Sequence, residues 1–128
     1  MKIFKDLFMV VCVCVMCVFN ACIADAENWI DKDSYGNAKW DADSVYSNDF
    51  GNIINFNMQF YNVNNNTNTL MMAQIHQKEI FKVIYARVVD DYGNTIEEGP
   101  QSMIYPIFLM GSPDLCYDVI SYYQRYLQ

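Results

Sequence analysis

The stretch that follows Gly51 limits the fold of this chain more than any other. Ile54, Phe56, Met58 and Phe60 alternate with Asn55, Asn57 and Gln59, and Asn62 follows out of phase. Successive side chains of a strand point to opposite faces, so this pattern predicts a half-buried antiparallel strand, apolar inside and polar outside. Ile53 and Tyr61 interrupt the polar side, and a Tyr can pack its ring while keeping its hydroxyl in water. One such strand has no stability alone. It needs neighbours in a sheet and a cover for its apolar face.

The neighbours are legible on both sides. From about Lys78 to Val89, Phe81, Val83, Tyr85, Arg87 and Val89 alternate with Ile80, Lys82, Ile84, Ala86 and Val88. Both faces turn apolar toward the end, as in a central strand covered on both sides. Leu70 to Gln77 fits either a strand or a helical turn, and the strand is preferred. Asn62 to Thr69 between them is a polar loop, since Asn side chains compete for backbone hydrogen bonds and favour turns. Asp90-Asp91-Tyr92-Gly93-Asn94 is a turn leading to a short strand, Thr95 to Glu98. Gly99-Pro100 is expected to end that strand, with irregular chain as far as Met110. Upstream, Trp29 and Ile30 precede a turn through Gly36-Asn37, and Ala38 to Asp41 is a short strand. Trp29 is expected to face Trp40 across that hairpin, with Asp43-Ser44 forming a turn or a single helical turn.

The cover is a C-terminal helix. Ser112 suits the N-cap, Pro113 the first helical position and Asp114 the positive end of the helix dipole. Leu115, Val119, Tyr122 and Tyr126 form one stripe, and Cys116, Ile120, Tyr123 and Leu127 the next. Together they make one broad apolar face at helical spacing. The expected fold class is therefore α+β: an antiparallel sheet of about four to six strands packed against a C-terminal α-helix.

The start of the chain has another purpose. Lys2 and Lys5 precede an unbroken apolar run from Leu7 to Phe19, and Ala24 and Ala26 are small residues at the positions a signal peptidase reads. Residues 1–26 are thus expected to be a signal peptide, cut before Glu27, and residues 27–128 a single exported domain. Two alternatives stay open. The run of 13 residues is short for a membrane span, which needs about 20, unless Asn20 to Ile23 extend it into an uncleaved anchor. Phe19-Asn20-Ala21-Cys22 has a lipobox-like ending, in which case Cys22 carries a lipid.

Removal of the first 26 residues leaves 102 of 128, with 6 basic residues, 13 acidic ones and Cys116 as the one remaining cysteine. No disulfide can then form within the domain, so packing must stabilise it. An acidic surface of this kind gives no electrostatic hold on nucleic acid or an anionic membrane surface. The partner is an unknown protein or envelope component, the mature form has no integral span, and the oligomeric state is left open.

The residues offer little chemistry. His76 is the one histidine, and a solvated strand-end residue accounts for it better than a general base does. Cys116 lies within the apolar helix face, where a thiol packs and does not react. Asp31-Lys32-Asp33-Ser34-Tyr35-Gly36 begins like a calcium loop but fails at its fifth position, Tyr35, and its twelfth, Ala42. Asp41 with Asp43, and Glu97 with Glu98, are read as solvated acids, because paired carboxylates do acid–base work only when their surroundings differ. No phosphate loop, nucleophile elbow or zinc spacing occurs, so no catalytic residue, metal or cofactor is expected. Tyr117 lies off both apolar rows and is the candidate binding-surface residue.

Several spacings together carry a resemblance. Trp29, Tyr35-Gly36-Asn37, Trp40-Asp41-Ala42-Asp43-Ser44-Val45, Gly51-Asn52-Ile53-Ile54, Tyr92-Gly93-Asn94, Pro106-Ile107 and Gly111-Ser112-Pro113 resemble a pattern in small exported bacterial proteins of the surface-adhesin protein E-like group. The resemblance spans most of residues 29–124 and implies an exported, surface-associated or periplasmic β-rich domain without catalysis. Members of that group often join the late strand to the final helix by a cysteine pair, which this chain lacks. The function expected is a non-catalytic cell-envelope interaction module. The alternatives are a subunit or inhibitor that lends a strand edge to a secreted partner, and a small hydrolase using acids that sequence alone does not pair.

Overall fold

A computed structural model describes residues 28–128. The signal-peptide cut at Ala24 and Ala26 and the lipid site at Cys22 lie outside the described residues. Seven strands form one antiparallel sheet: β1 (Trp29–Asp31), β2 (Ala38–Asp41), β3 (Tyr46–Asn48), β4 (Ile53–Asn62), β5 (Thr67–His76), β6 (Ile80–Asp90) and β7 (Thr95–Pro106). Among the described residues one α-helix, α1 (Asp114–Tyr126), follows the strands. The α+β class is as expected, with one strand more than the upper bound.

The strand order is β1-β2-β4-β5-β6-β7, and β3 also pairs with β4. Two short strands thus share one edge of β4: β2 runs beside Met58 to Phe60, and β3 beside Ile53 to Asn55. Between them a 3-10 turn, Ala42–Ser44, bridges the gap. The Ser44 hydroxyl accepts from the Asn57 backbone N–H at 2.8 Å and donates to the Asp41 carbonyl at 2.7 Å. The Asp41 carboxylate accepts from the Asp43 N–H at 3.0 Å. A buried strand N–H without a partner would cost about 1–3 kcal/mol, so Ser44 in effect completes the ladder.

The apolar face follows the alternation. Ile54, Phe56 and Met58 stand opposite Ile75, Ala73 and Met71, and Phe81 and Val83 continue the row on β6. On top of them α1 buries Leu115, Cys116, Val119, Ile120 and Tyr123. Burial of each large apolar side chain stabilises by about 1.5–3 kcal/mol. Tyr126 and Leu127 lie past the edge of this cover and are exposed.

Five local expectations are corrected. Trp40 faces Ile30, and Trp29 faces Asp41; the turn holds the register one residue away, and one residue reverses a side chain's face. The polar loop shrinks to residues 63–66, because Asn62 and Thr67 to Thr69 are paired strand residues. The cross-strand ladder there outweighs the turn preference of Asn. β6 is an interior strand, but α1 covers only one face of it, and its last residues are half-buried. Asp114 is the first helical residue and Pro113 the cap, without a capping side chain from Ser112. β7 does not stop at Gly99-Pro100 but runs 12 residues to Pro106. Pro100 is tolerated because β7 ends the sheet, where a missing N–H leaves no neighbouring strand unpaired.

The β5–β6 turn carries strain. Gln77 and Lys78 have φ of 53° and 60°, and the Glu79 N–H closes the turn onto the His76 carbonyl at 3.0 Å. Two consecutive positive φ values fit the type I′ hairpin, whose favoured pair is Asn-Gly. Left-handed backbone costs an ordinary residue about 1–2 kcal/mol. The double variant Gln77→Asn/Lys78→Gly is therefore expected to raise the unfolding free energy by about 1 kcal/mol. A higher urea midpoint with unchanged slope is the readout; a lower midpoint would contradict the turn assignment.

Candidate functional site

The acids, the histidine and the tyrosines singled out from the sequence do not converge. Asp41 is 2% exposed, which corrects its reading as a solvated acid. Burial pushes its carboxyl up from the ordinary carboxylate range, the Asp43 N–H bond opposes this, and the Asp43 charge adds to it. Its oxygen is engaged in holding the 3-10 turn, so its role there is structural. Glu98 accepts from the Tyr85 hydroxyl at 2.6 Å, while Glu97 is exposed. His76 ends β5, with its Nε2 2.8 Å from the Gln74 side-chain oxygen. Burial, with Lys82 adding to it, holds its imidazole below the ordinary value. Asp31 lies 3.8 Å from Lys39 instead of heading a calcium loop, and among the described residues no three His, Cys, Asp or Glu gather as metal ligands.

The tyrosines divide between packing and surface. Tyr35, not anticipated as a core residue, is buried and donates to the Asp118 carboxylate on α1, which Lys32 also approaches at 3.0 Å. Trp40 meets Tyr122 edge-on at 5.5 Å, and Tyr122 leans on Tyr126 at 5.0 Å. A groove of about 360 Å³ runs along these rings, between β1 and α1. Its one carboxylate, Asp118, is already held by Tyr35 and Lys32. The groove is thus the seam that locks the helix to the N-terminal hairpin.

The opposite end of the molecule is different. β7 is a terminal strand of the sheet, with no further strand beyond it among the described residues. Unpaired N–H and C=O groups along such an edge are a template for another chain, and proteins usually blunt them with charges, Pro or bulges. The first half of β7 is blunted in all three ways. Glu97 and Glu98 carry charge, Pro100 removes a donor, and the register shifts between Val88 and Val89 and again between Val83 and Tyr85. The last half has no charged residue and no bulge, and its one proline, Pro106, stands at the strand's final position. Met103, Ile104, Tyr105 and Pro106 stand in regular register with Val83, Lys82, Phe81 and Ile80. Met103, Ile104 and Tyr105 are all exposed, with Ile104 at 59%.

That open end leads directly into a pocket. After Pro106 the chain makes a 3-10 turn, Ile107–Leu109, pinned by the Ile107 N–H donating to the Glu79 carbonyl at 2.9 Å. Ile107 turns inward and is buried, while Phe108 turns outward and is 74% exposed. Between Phe108, Pro106, Ile80 and Tyr117 lies a pocket of about 370 Å³, which Lys78 and Glu79 also line. Tyr117, the candidate binding residue, thus lines this pocket and is 45% exposed. Its neighbours in the site were missed, because the sequence reading ended the strand at Gly99-Pro100 and left Met103 to Leu109 irregular. The run Ile107-Phe108-Leu109, apolar without a period, was the available signal.

Among the described residues no helix is long and apolar enough to cross a membrane. No protein-family model, curated protein or solved structure matches the chain.

Proposed function

We propose that this chain is an exported, non-catalytic interaction module of the cell envelope that binds an extended segment of a partner protein as one more antiparallel strand on β7. The observation that carries this reading is the bulge-free, uncharged and apolar end of an edge strand, Met103 to Tyr105. Main-chain hydrogen bonds supply the affinity in such strand addition, and alternate side chains supply the selectivity. Tyr105 and Met103 present to the helix side of the sheet and Ile104 to the other, so the added strand gains apolar neighbours on both. The short blunted half beside it limits pairing to this end and keeps the edge from templating longer aggregates. The basic start and apolar run of residues 1–26 support export, and the likeness to the surface-adhesin protein E-like group supports an envelope role without catalysis.

Two measurements test it. A photo-crosslinking residue at Ile104, in the producing cell, should yield a discrete adduct with one protein, and the same residue at Tyr92 should not. Equal labelling at both positions, or none at Ile104, overturns strand addition. The intact mass of the mature protein should begin at Glu27; a lipidated Cys22 start would place the module on a membrane through acyl chains instead.

A further inference from the structure

Four regular residues of edge are a small surface. Pairing over Met103 to Pro106, where Pro106 has no N–H to donate, can supply only two or three main-chain hydrogen bonds, each with a net value of about 0.5–1.5 kcal/mol. Association must also offset several kcal/mol of lost translational and rotational freedom. An edge this short therefore needs a side-chain anchor close by, and the pocket between Phe108 and Tyr117 begins where the edge ends, since Pro106 belongs to both.

Resting on the strand-addition reading, we infer that this pocket is the specificity site of the module and takes an aromatic side chain from the partner, at the N-terminal end of the added strand. The direction follows from the sheet. A segment antiparallel to β7 has its N-terminal end beside Pro106 and its C-terminal end toward Glu97 and Glu98. With a rise of about 3.3 Å per residue, the residue one to three places before the one opposite Tyr105 reaches the pocket mouth. The pocket's volume, about 370 Å³, is at the small end of the range for ligand sites, which suits one large side chain and not an extended ligand.

The lining sets the chemistry. Ile80 and Pro106 give apolar walls, with buried Ile107 behind them, and Tyr117 and Phe108 present rings. Aromatic pairs gain about 0.5–1.5 kcal/mol beyond area burial when offset or edge-on. Glu79 in the lining is an acceptor for a phenol or indole donor, so Tyr and Trp are favoured over Phe. Lys78, also in the lining, precedes it on the strained turn, with φ of 60°. The partner segment thus reads, from its N-terminus, aromatic, then alternating apolar residues.

The test uses random 12-residue peptides displayed on phage and selected on the purified protein. Selected peptides should carry an aromatic residue ahead of an apolar alternation. Tyr117→Ala and Phe108→Ser should each weaken such a peptide about ten-fold or more. Replacing the peptide's aromatic residue by Ala should cost as much on the native protein and little further on either variant. Both side chains are exposed, so an unchanged melting temperature confirms that the variants fold. Ile104→Arg should abolish binding of every selected peptide. Peptides that depend on Ile104 but not on Tyr117 or Phe108 overturn the pocket and leave strand addition standing. Peptides indifferent to Ile104, or no selected peptide at all, overturn both.

Discussion

Phe56→Ala is expected to lower the unfolding free energy by about 3–5 kcal/mol, the range for truncating a buried Phe. Phe56 is at the centre of β4, with Ala73 opposite it and the Phe81 ring 6.4 Å away. The small residue across the ladder makes room for the large one, so removal of the ring leaves a void that Ala73 cannot fill. α1 lies on the same layer and would have to sink to close it. Its position is tied by Tyr35 to Asp118 and by Tyr123, whose hydroxyl donates to Ser47 at 3.0 Å. Relaxation is therefore limited, and the cost belongs toward the upper part of the range. For a domain of this size the melting temperature falls by about 4–8 °C per kcal/mol. Urea unfolding of the two proteins checks the prediction, and a change below about 1 kcal/mol would mean that the ring is not part of the core.

The second large effect is chemical. Cys116 is 0% exposed, with its Sγ 3.9 Å from the Met110 sulfur. Burial pushes its thiol up to about 12. Only the thiolate reacts with alkylating reagents, and an ordinary cysteine ionises near 8.5. At pH 8 native Cys116 is therefore expected to react about a thousand-fold more slowly than in denaturant, before any loss of access is counted. Iodoacetamide labelling followed by mass provides the rate. Fast labelling of the folded protein would show that α1 does not seal the thiol.

The same shift gives a pH dependence with a definite sign. Between about pH 8.5 and 12 the unfolded state has lost the thiol proton and the native state still holds it. The unfolded state then binds fewer protons, so this group's contribution to stability falls as pH rises through that window. At pH 10 the loss is about 2 kcal/mol relative to pH 7. The comparison is with Cys116→Ala, whose stability should decline less steeply over the same window.

The fold was legible where periodicity was strong. Alternation over Ile54 to Phe60 placed β4 and its buried face, and of the eight residues in the two rows of α1, Leu115, Cys116, Val119, Ile120 and Tyr123 form the buried cover while Tyr122 is half-buried and Tyr126 and Leu127 are exposed. Both patterns reflect local geometry, since a strand or helix repeats its exposure every two or 3.6 residues. Reading failed where a local preference met a non-local partner. Asn62 and Thr67 to Thr69 favour turns, yet ladder bonds to the facing strand hold them extended. Pro100 discourages a strand, yet at an edge its missing N–H leaves nothing unpaired. Asp41 reads as a turn acid, and only the approach of β4 buries it under the 3-10 turn.

The candidate site shows the same division more sharply. Tyr117 could be picked out because it falls off both apolar rows of a helix, a property of the helix alone. That it shares a pocket with Phe108, Pro106 and Ile80 depends on β7 running to Pro106 and on the Ile107 N–H meeting Glu79. By itself the sequence determined the α+β class, the helix that covers the sheet and the burial of Cys116, because amphipathic period is written residue by residue. Tertiary structure alone decided which strand ends the sheet, which half of that edge is left open and what stands beside it. Those follow from pairings between residues far apart in the chain, and no local pattern encodes them.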